Sequence, residues 1–325
     1  MEKLHYVFGR TLKSVLVIVA VLALNFLLVR AAPGDPAMIL AGEAGATDPS
    51  FIEEVRKDFG LDKPFIVQMG LYAKQAATFD FGMSYRENRP VLDLILERLP
   101  ATLLLTLTAL FSSIVIGVGL GVAAARFAGR WIDGLITTIS LIFFAMPLFW
   151  IGLIGILIFS VHLGWLPAYG MASVGAGLSG WAALRDTLWH LIMPATTLSL
   201  FYVAVYTRVM RASAIEVKDQ DFVKTARAKG LPERQIWGRH IMRNAILPVI
   251  TFGSLQAGHL IGGSVLIETV FAWPGIGRLA FDALIQREYN LLLAIFFVSS
   301  VIVVFINLVA DMLYSVADPR IEMQT

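Results

Sequence analysis

The feature that most constrains this chain is a series of six long apolar segments. They cover residues 14–29, 101–125, 134–161, 188–207, 244–267 and 290–310. A helix needs about 20 apolar residues to cross the roughly 30 Å hydrocarbon core of a bilayer, because each residue adds about 1.5 Å. The pattern therefore predicts an all-α integral membrane protein with six transmembrane helices.

Composition excludes several other classes of protein. Charged residues make up 15% of the chain and hydrophobic residues 57%, whereas soluble domains are about 25% charged. The net charge of +2 and the lack of a basic tract interleaved with aromatics exclude nucleic-acid binding. Cysteine is absent, and the five histidines lie in separate regions, so the sequence predicts neither a disulfide framework nor a metal site.

The basic residues predict how the helices are oriented. Nine lysines and arginines lie in the 208–243 loop, while the 162–187 and 271–289 loops carry one and two. Loops rich in Lys and Arg stay in the cytoplasm, so we expect both termini and the 208–243 loop there. A cleaved signal peptide is the alternative for the first segment, but Arg30 and Pro33 fit poorly around a cleavage site.

The chain order suggests three parts. Residues 1–98 hold one transmembrane helix and an external region, in which we predict a helix over 49–59. Residues 99–310 hold a five-helix core, and residues 311–325 form a short cytoplasmic tail.

The loop between the fourth and fifth segments is the most informative part. Phe222, Val223, Ala226 and Gly230 recur at helical spacing, and Gly230 is well placed to end that helix. Leu-Pro-Glu at 231–233 then begins a second helix. Two short helices that project from the membrane suit insertion into a groove on a soluble partner.

The alternative is an ordinary basic loop lying on anionic lipid headgroups. Ala226, Ala228 and Gly230 are small, which makes them poor membrane anchors and good close-contact residues. Their presence favours docking to a protein.

Several motifs together resemble the permease subunit of dipeptide, oligopeptide and nickel ABC importers, and in particular the first permease, which has a long external loop after helix one. The motifs cover nearly the whole chain. They are Ala-Pro-Gly-Asp-Pro at 32–36, Asp-Phe-Gly-Met-Ser at 80–84, Arg-Leu-Pro-Ala-Thr at 98–102, Gly-Trp-Leu-Pro-Ala at 164–168, Ala-Arg-Ala-Lys-Gly at 226–230, Arg-Asn-Ala-Ile-Leu-Pro at 243–248, Glu-Thr-Val-Phe-Ala-Trp-Pro-Gly-Ile-Gly at 268–277 and Asp-Pro-Arg-Ile at 318–321.

This resemblance implies a type I ABC importer permease fold in a bacterial-type inner membrane. It implies a second homologous permease, two cytosolic ATP-binding subunits that carry ATP and Mg, and an external solute-binding protein. Similar permeases handle dipeptides, longer peptides, glutathione or nickel chelates. It also implies that the 219–240 loop contacts the ATPase, through Phe222, Ala226, Arg227, Lys229, Gly230, Leu231 and Glu233.

The loop departs from the general importer pattern at one position. That pattern is Glu-Ala-Ala, three residues, then Gly, and here Lys224 stands in place of the Glu. A role carried by that Glu is therefore not transferred to this chain. Met242 and Arg243 occupy the place of the pattern's later Leu-Pro.

The sequence contains no Gly-x-x-x-x-Gly-Lys-Ser/Thr loop, which nucleotide phosphates require in such ATPases. We therefore expect no enzyme activity and no catalytic residue here, with ATP hydrolysis on the partner subunits.

Polar and irregular residues within the apolar segments have two interpretations each. Gln256 and His259 are candidates for the translocation path, with interhelical hydrogen bonding as the alternative. Prolines 147, 194 and 248 predict kinks, which serve either gating or fixed packing. Gly258 and Gly262 predict close helix packing.

Two rival functions follow from the same apolar pattern. A secondary transporter or channel would need a buried carboxylate or a proton relay in mid-helix, and none is evident in the sequence. A membrane-embedded enzyme would need a nucleophile and base that converge within the bundle, and none is evident either.

Overall fold

The structure is a computed structural model that describes residues 2–31, 53, 57, 62–84, 86–286 and 288–317. The helix predicted over 49–59 falls outside these residues except at two single positions. The described helices, in chain order, are α1 (Glu2–Ala31), α2 (Phe65–Thr78), α3 (Val91–Arg126), α4 (Trp131–Ala145), α5 (Leu148–Gly155), α6 (Gly180–Lys218), α7 (Asp221–Ala228), α8 (Glu233–Gln235), α9 (Met242–Ala245), α10 (Leu247–Val270), α11 (Ile276–Gln286) and α12 (Tyr289–Ala317).

Three shorter elements complete the described fold. Two turns of π-helix, over Ile156–His162 and Ile236–Ile241, continue α5 and α8. Strands β1 (Met83–Ser84) and β2 (Arg89–Pro90) pair antiparallel, with Met83 opposite Pro90.

All six predicted apolar segments fall on helical stretches. Helix α3, helix α6 and residues 290–309 are each long and apolar enough to cross a membrane. Residues 131–162 form a fourth candidate that is bent, and the apolar part of α1, Thr11–Leu27, is shorter. Helix α10 is 24 residues long. The fold is therefore the predicted all-α membrane architecture. By length and composition, the described residues contain three helices that could span a membrane, or four with the bent pair.

The kink predicted at Pro147 is confirmed, and it divides the third apolar segment into two helices. Helices α4 and α5 meet at an angle of 104°. Met146 is extended, and Pro147 then begins α5. A proline disfavours helical geometry in the residue before it and lacks the N–H that would continue the ladder. Pro194 lies inside an unbroken α6, and Pro248 lies in the first turn of α10, where proline is tolerated.

One compact unit contains residues 1–101 and 275–308. Its core joins α2, the start of α3, α11 and α12 through a set of buried apolar side chains that includes Ala76, Val91, Ile95, Ala283, Leu291 and Phe297. The Asn290 side-chain amide donates to the carbonyl of Phe81 at 2.8 Å. The two helices after residue 274 thus pack with the N-terminal region, and the division into three parts by chain order stays a prediction.

The second unit contains residues 102–274 and 309–325. Helix α6 is at its centre and packs against α4, α5 and α10. Helix α3 also approaches α6 closely, because Gly117 and Gly121 lie at the crossing. A Cβ at Gly121 would lie 2.6 Å from the Cβ of Met210, and one at Gly117 would lie 2.6 Å from the Cβ of Tyr206. Small residues one turn apart allow such backbone contact between membrane helices.

The close packing predicted at Gly258 and Gly262 has no counterpart at Gly262 within the described residues, and at Gly258 it stays a prediction. Nothing in the described structure lies within 4 Å of a Cβ built on Gly262. The side chain environment of position 258 lies outside the described residues.

Candidate functional site

The end of α6 is held firmly in the second unit. Met210, Ala214 and Val217 form a buried stripe along its last turns. These positions are spaced four and three residues apart, so they lie on one face of the helix. The chain leaves this face at Asp219 and enters the segment that the sequence analysis singled out.

Helix α7 ends where the glycine predicts. Gly230 has a φ of +77°, which residues with a Cβ rarely adopt. The Gly230 N–H donates to the Arg227 carbonyl at 2.9 Å, and the Leu231 N–H donates to the Ala226 carbonyl at 3.3 Å. These two bonds form a Schellman motif, which satisfies the last carbonyls of the helix. The predicted helix end is confirmed.

The second helix of the pair begins after Pro232, also as predicted, and its inner face is deeply buried. Pro232 has an extended backbone, and its carbonyl accepts from the N–H groups of Gln235 and Ile236. Ile236, Trp237 and Ile241 are buried, and the π-helical turn that carries them packs against both α6 and α7. The pair is therefore seated on the rest of the chain by the second helix.

Helix α7 has one inward and one outward face. Val223 is 0% exposed and Ala226 is 4% exposed, while Phe222 is 40% exposed. Lys229, Gly230 and Glu233 are exposed; Arg227 and Leu231 are partly buried. Ala226 was predicted as a contact residue for a partner, but it is buried in this chain's own packing. The outward face, defined as Phe222, Thr225, Ala228, Lys229 and Gly230, is called the α7 outer face below.

Two ion pairs lie on the solvent side of this pair of helices. The Arg227 guanidinium donates to the Glu233 carboxylate at 2.9 Å and so joins α7 to α8. The Lys224 ammonium donates to the Asp221 carboxylate at 2.9 Å. That hydrogen bond lowers the pKa of Asp221 and raises the pKa of Lys224. Lys224, which replaces the Glu of the general pattern, is thus engaged within its own helix.

A third ion pair lies at the base of the segment, and sequence reasoning missed it. Arg211 donates from Nε to Asp133 Oδ1 at 2.6 Å and from Nη2 to Asp133 Oδ2 at 2.8 Å. The Gly129 N–H also donates to Asp133 at 3.0 Å. The Asp133 side chain is 8% exposed and the Arg211 side chain 33%. The two residues are 78 positions apart, so no local signal pairs them.

A buried carboxylate was also missed. Glu268 is fully buried near the end of α10, and it accepts from Thr102 at 2.8 Å and from Ser264 at 3.1 Å. The sequence predicted no buried carboxylate in mid-helix, and Glu268 lies in the last turn of α10 instead. The Thr102 hydroxyl joins α3 to α10, and the Ser264 hydroxyl lies one turn before Glu268 on α10 itself, which gives Glu268 a role in packing.

The predicted path residues lie on α10. Gln256 is partly buried, and the side chain of His259 lies outside the described residues. On the facing helix, Tyr206 is buried, and its hydroxyl has no hydrogen-bond partner in the described structure. It lies 3.6 Å from the Cβ position of Gly253. Among the described residues no group of three His, Asp or Glu side chains is arranged to hold a metal.

The family models for membrane components of binding-protein-dependent transport systems match almost the entire chain. The inner membrane component model matches residues 117–323, and the model for the N-terminal part of such components matches residues 3–106. The chain therefore belongs to the family of inner membrane components of binding-protein-dependent transport systems, the permease subunits of ABC importers. This membership makes it a multi-pass inner-membrane protein.

Curated relatives match over almost their full length. The chain is 39% identical to the oligopeptide transport system permease AppB of Bacillus subtilis, over 98% of this chain and 99% of the relative. It is 40% identical to the glutathione transport system permease GsiC of Escherichia coli over the same shares. It is 37% identical to the dipeptide transport system permease DppB of Alkalihalophilus pseudofirmus, over 98% and 99%.

A solved transporter shares the fold at low sequence identity. A chain of the inward-facing MetNI methionine ABC transporter superposes with a TM-score of 0.56 and is 17% identical. The match covers 70% of this chain and 97% of that one. This likeness supports the predicted type I importer permease fold.

Proposed function

We propose that this permease subunit lines one half of the pathway through which an ATP-driven importer moves di- or oligopeptides or similar small solutes. The relatives named for oligopeptides, dipeptides and glutathione support this solute class, since all three are short chains with amide bonds. Gln256 and His259 on α10 are the proposed path residues, and no residue of this chain is proposed to be catalytic.

The observation that carries the coupling proposal is the division of α7 into two faces. Val223 and Ala226 fix the helix to its own chain, while Phe222 remains 40% exposed beside Lys229. An exposed aromatic side chain on a helix that is seated on its own chain can act as an anchor that fills a pocket on a partner. We propose that the α7 outer face, with Leu231, Arg227 and Glu233 behind it, docks into an ATP-binding subunit.

The proposed assembly has a second homologous permease, two cytosolic ATP-binding subunits with ATP and Mg, and an external solute-binding protein. Basic residues concentrated in 208–243 support a cytosolic position for this segment and for both termini. The 31–98 and 162–187 regions are then the external surfaces that a binding protein can reach.

The interface can be tested by co-purification in mild detergent with the ATP-binding subunits encoded beside this chain. We expect Phe222→Ala combined with Lys229→Ala to reduce the recovered ATPase by about tenfold or more, because hot-spot truncations each cost at least about 1.4 kcal/mol. Phe111→Ala is the matched control, since Phe111 is exposed on the apolar span α3. Unchanged recovery with the double variant would contradict the proposed interface.

The orientation can be tested on the same protein because it contains no cysteine. A single Lys229→Cys variant should react with a membrane-impermeant maleimide in inside-out vesicles and not in intact spheroplasts. The reverse pattern would overturn the proposed topology.

The rival function, a secondary transporter, predicts uptake by the purified chain alone. The buried Glu268 is the observation that keeps this rival worth testing, although its two hydroxyl partners tie it to helix packing. Proteoliposomes that hold only this chain should show no uptake of a labelled dipeptide under a proton or sodium gradient. Gradient-driven uptake would favour the rival.

A further inference from the structure

The segment that carries α7 is joined to the bent helix pair α4–α5 by one ion pair. Arg211 lies ten residues before the start of α7, on the same continuous helix that ends at Lys218. Asp133 lies in the first turn of α4. Helices α4 and α6 also pack along their length, with Phe144 stacked on Phe201 at 5.2 Å.

The ion pair between Arg211 and Asp133 has a geometry that restricts movement of α6 relative to α4. Two hydrogen bonds, of 2.6 and 2.8 Å, join two guanidinium nitrogens of Arg211 to the two carboxylate oxygens of Asp133. Such bidentate pairs restrict orientation as well as distance. The Gly129 N–H holds the same carboxylate from the linker before α4, so Asp133 cannot rotate without losing a second bond.

The far end of the bent pair reaches the described end of α10. A Cβ on Gly152 of α5 would lie 3.2 Å from the Phe271 ring and 3.5 Å from the Thr197 methyl group. A displacement of α4 therefore acts on α5 and, through this contact, on the chain just after α10. The contacts form a continuous series from the base of α7 to α10.

We infer that Asp133 and Arg211 are positioning residues that make α4 and α6 move as one body, so that movement of α7 is transmitted to the bent pair. This inference rests on the proposed docking of α7 to an ATPase, and it adds which residues carry the movement onward. The pair stays closed throughout the cycle, and neither residue touches solute or nucleotide.

The first test measures solute transported per ATP hydrolysed, with the complete transporter in proteoliposomes and a labelled dipeptide as the probe. We expect Asp133→Asn and Arg211→Lys each to lower this ratio by about fivefold or more, which is the usual size of coupling between sites. The Asp133→Asn/Arg211→Lys double variant should lower it no further, since both changes remove one interaction. Arg126→Gln, an exposed basic residue at the end of α3, is the control.

The outcomes separate this inference from the proposed function. Normal co-purification of the ATPase together with a reduced amount of solute transported per ATP supports both the proposed docking of α7 and the inference. Loss of the ATPase from the Asp133 and Arg211 variants would place these residues in assembly and overturn the inference. A parallel fall in transport and hydrolysis with the ratio unchanged would also overturn it, as would additive effects in the double variant.

A covalent replacement of the ion pair gives the second test and does not depend on how well the charge variants fold. The double variant Asp133→Cys/Arg211→Cys can be bridged with a short bis-methanethiosulfonate reagent, because the chain has no other cysteine. We expect the amount of solute transported per ATP to be low before bridging and to recover once the two cysteines are bridged. It should fall again when the bridge is cleaved by a reductant. The single-cysteine variants should not recover. Bridging that stops transport would show that the pair must open, which overturns the inference.

Discussion

The end of α6 and the adjoining α7 are built in opposite ways, although only two residues separate them. The α6 end is held by a buried stripe, by close backbone contact with α3 and by a bidentate ion pair to α4. Helix α7 has eight residues, two buried side chains, and ion pairs that face solvent.

The difference supports the proposal that α7 receives movement from a partner and that the α6 end transmits it. A charge pair removed from solvent loses much when one partner is deleted, because the other charge stays buried. A charge pair in solvent contributes little. Helix α7 can therefore adapt its exposed surface to a partner, while the α6 end keeps its geometry.

The largest effect is expected at the buried ion pair. Arg211→Ala should lower the free energy of unfolding by about 3 kcal/mol, because the 8%-exposed Asp133 would keep its charge without the guanidinium. Denaturation in mixed detergent, followed by tryptophan fluorescence, measures the change, with Arg126→Ala as the control. If Arg211→Ala and Arg126→Ala lowered the free energy of unfolding equally, the Asp133–Arg211 ion pair would contribute no more than an exposed charge.

A smaller loss is expected at the crossing of α3 and α6. Gly121→Ala should cost about 2 kcal/mol, because its Cβ would meet the Met210 Cβ at 2.6 Å and the Thr207 carbonyl oxygen at 2.7 Å. Gly119→Ala is a control in the same helix, where nothing in the described structure lies within 4 Å. Alanine should stabilise the helix there by up to about 1 kcal/mol. In the same denaturation assay, Gly121→Ala should lower the free energy of unfolding and Gly119→Ala should raise it.

Helix α7 should be easier to loosen than the α6 end. Val223→Ala removes two buried methyl groups and should cost about 1.5 kcal/mol of local stability. Hydrogen exchange of the 221–230 amides measures this opening. Thr225→Ser removes one methyl group from an exposed position of the same helix and should leave exchange within error. Faster exchange at 221–230 without change in α6 would confirm that the two parts open separately.

The smallest effect is expected at the exposed Asp221–Lys224 pair, and it depends on pH. The Asp221 pKa is lowered, so its stabilising effect is present above the ordinary carboxyl pKa of about 4 and is lost as pH falls through the lowered value. The Lys224 pKa is raised, so its effect is lost only in strongly alkaline solution. The difference in hydrogen exchange of the 221–230 amides between wild type and Lys224→Ala should be constant near neutral pH and should disappear in acid. A change between pH of about 6 and 8 would contradict this assignment.

Local sequence signals predicted much of the site. Gly230 was identified as a helix end because its left-handed conformation is set by three or four neighbouring residues. Pro232 and Pro147 were recognised for the same reason, since proline acts on the residues beside it. The apolar segments were found because bilayer thickness imposes a length on each helix.

Pairings across the chain could not be predicted in this way. Asp133 and Arg211 meet only because α4 and α6 pack antiparallel, and neither neighbourhood encodes the other. The exposure of Phe222 beside a buried Ala226 depends on where the π-helical turn lies beneath α7. The spacing of Gly117 and Gly121 was a usable signal, because two small residues one turn apart predict a close crossing.

The hydrogen bond between Thr102 and Glu268 has a consequence for biosynthesis. The two residues are 166 positions apart, and the helix with the hydroxyl is made first. At about 5–20 residues per second, the ribosome needs roughly 10–30 s to pass from one to the other. The Thr102 hydroxyl donor has thus already been synthesised when α10 leaves the translocation machinery, and in a Thr102→Val chain Glu268 would insert with Ser264 as its described hydroxyl donor.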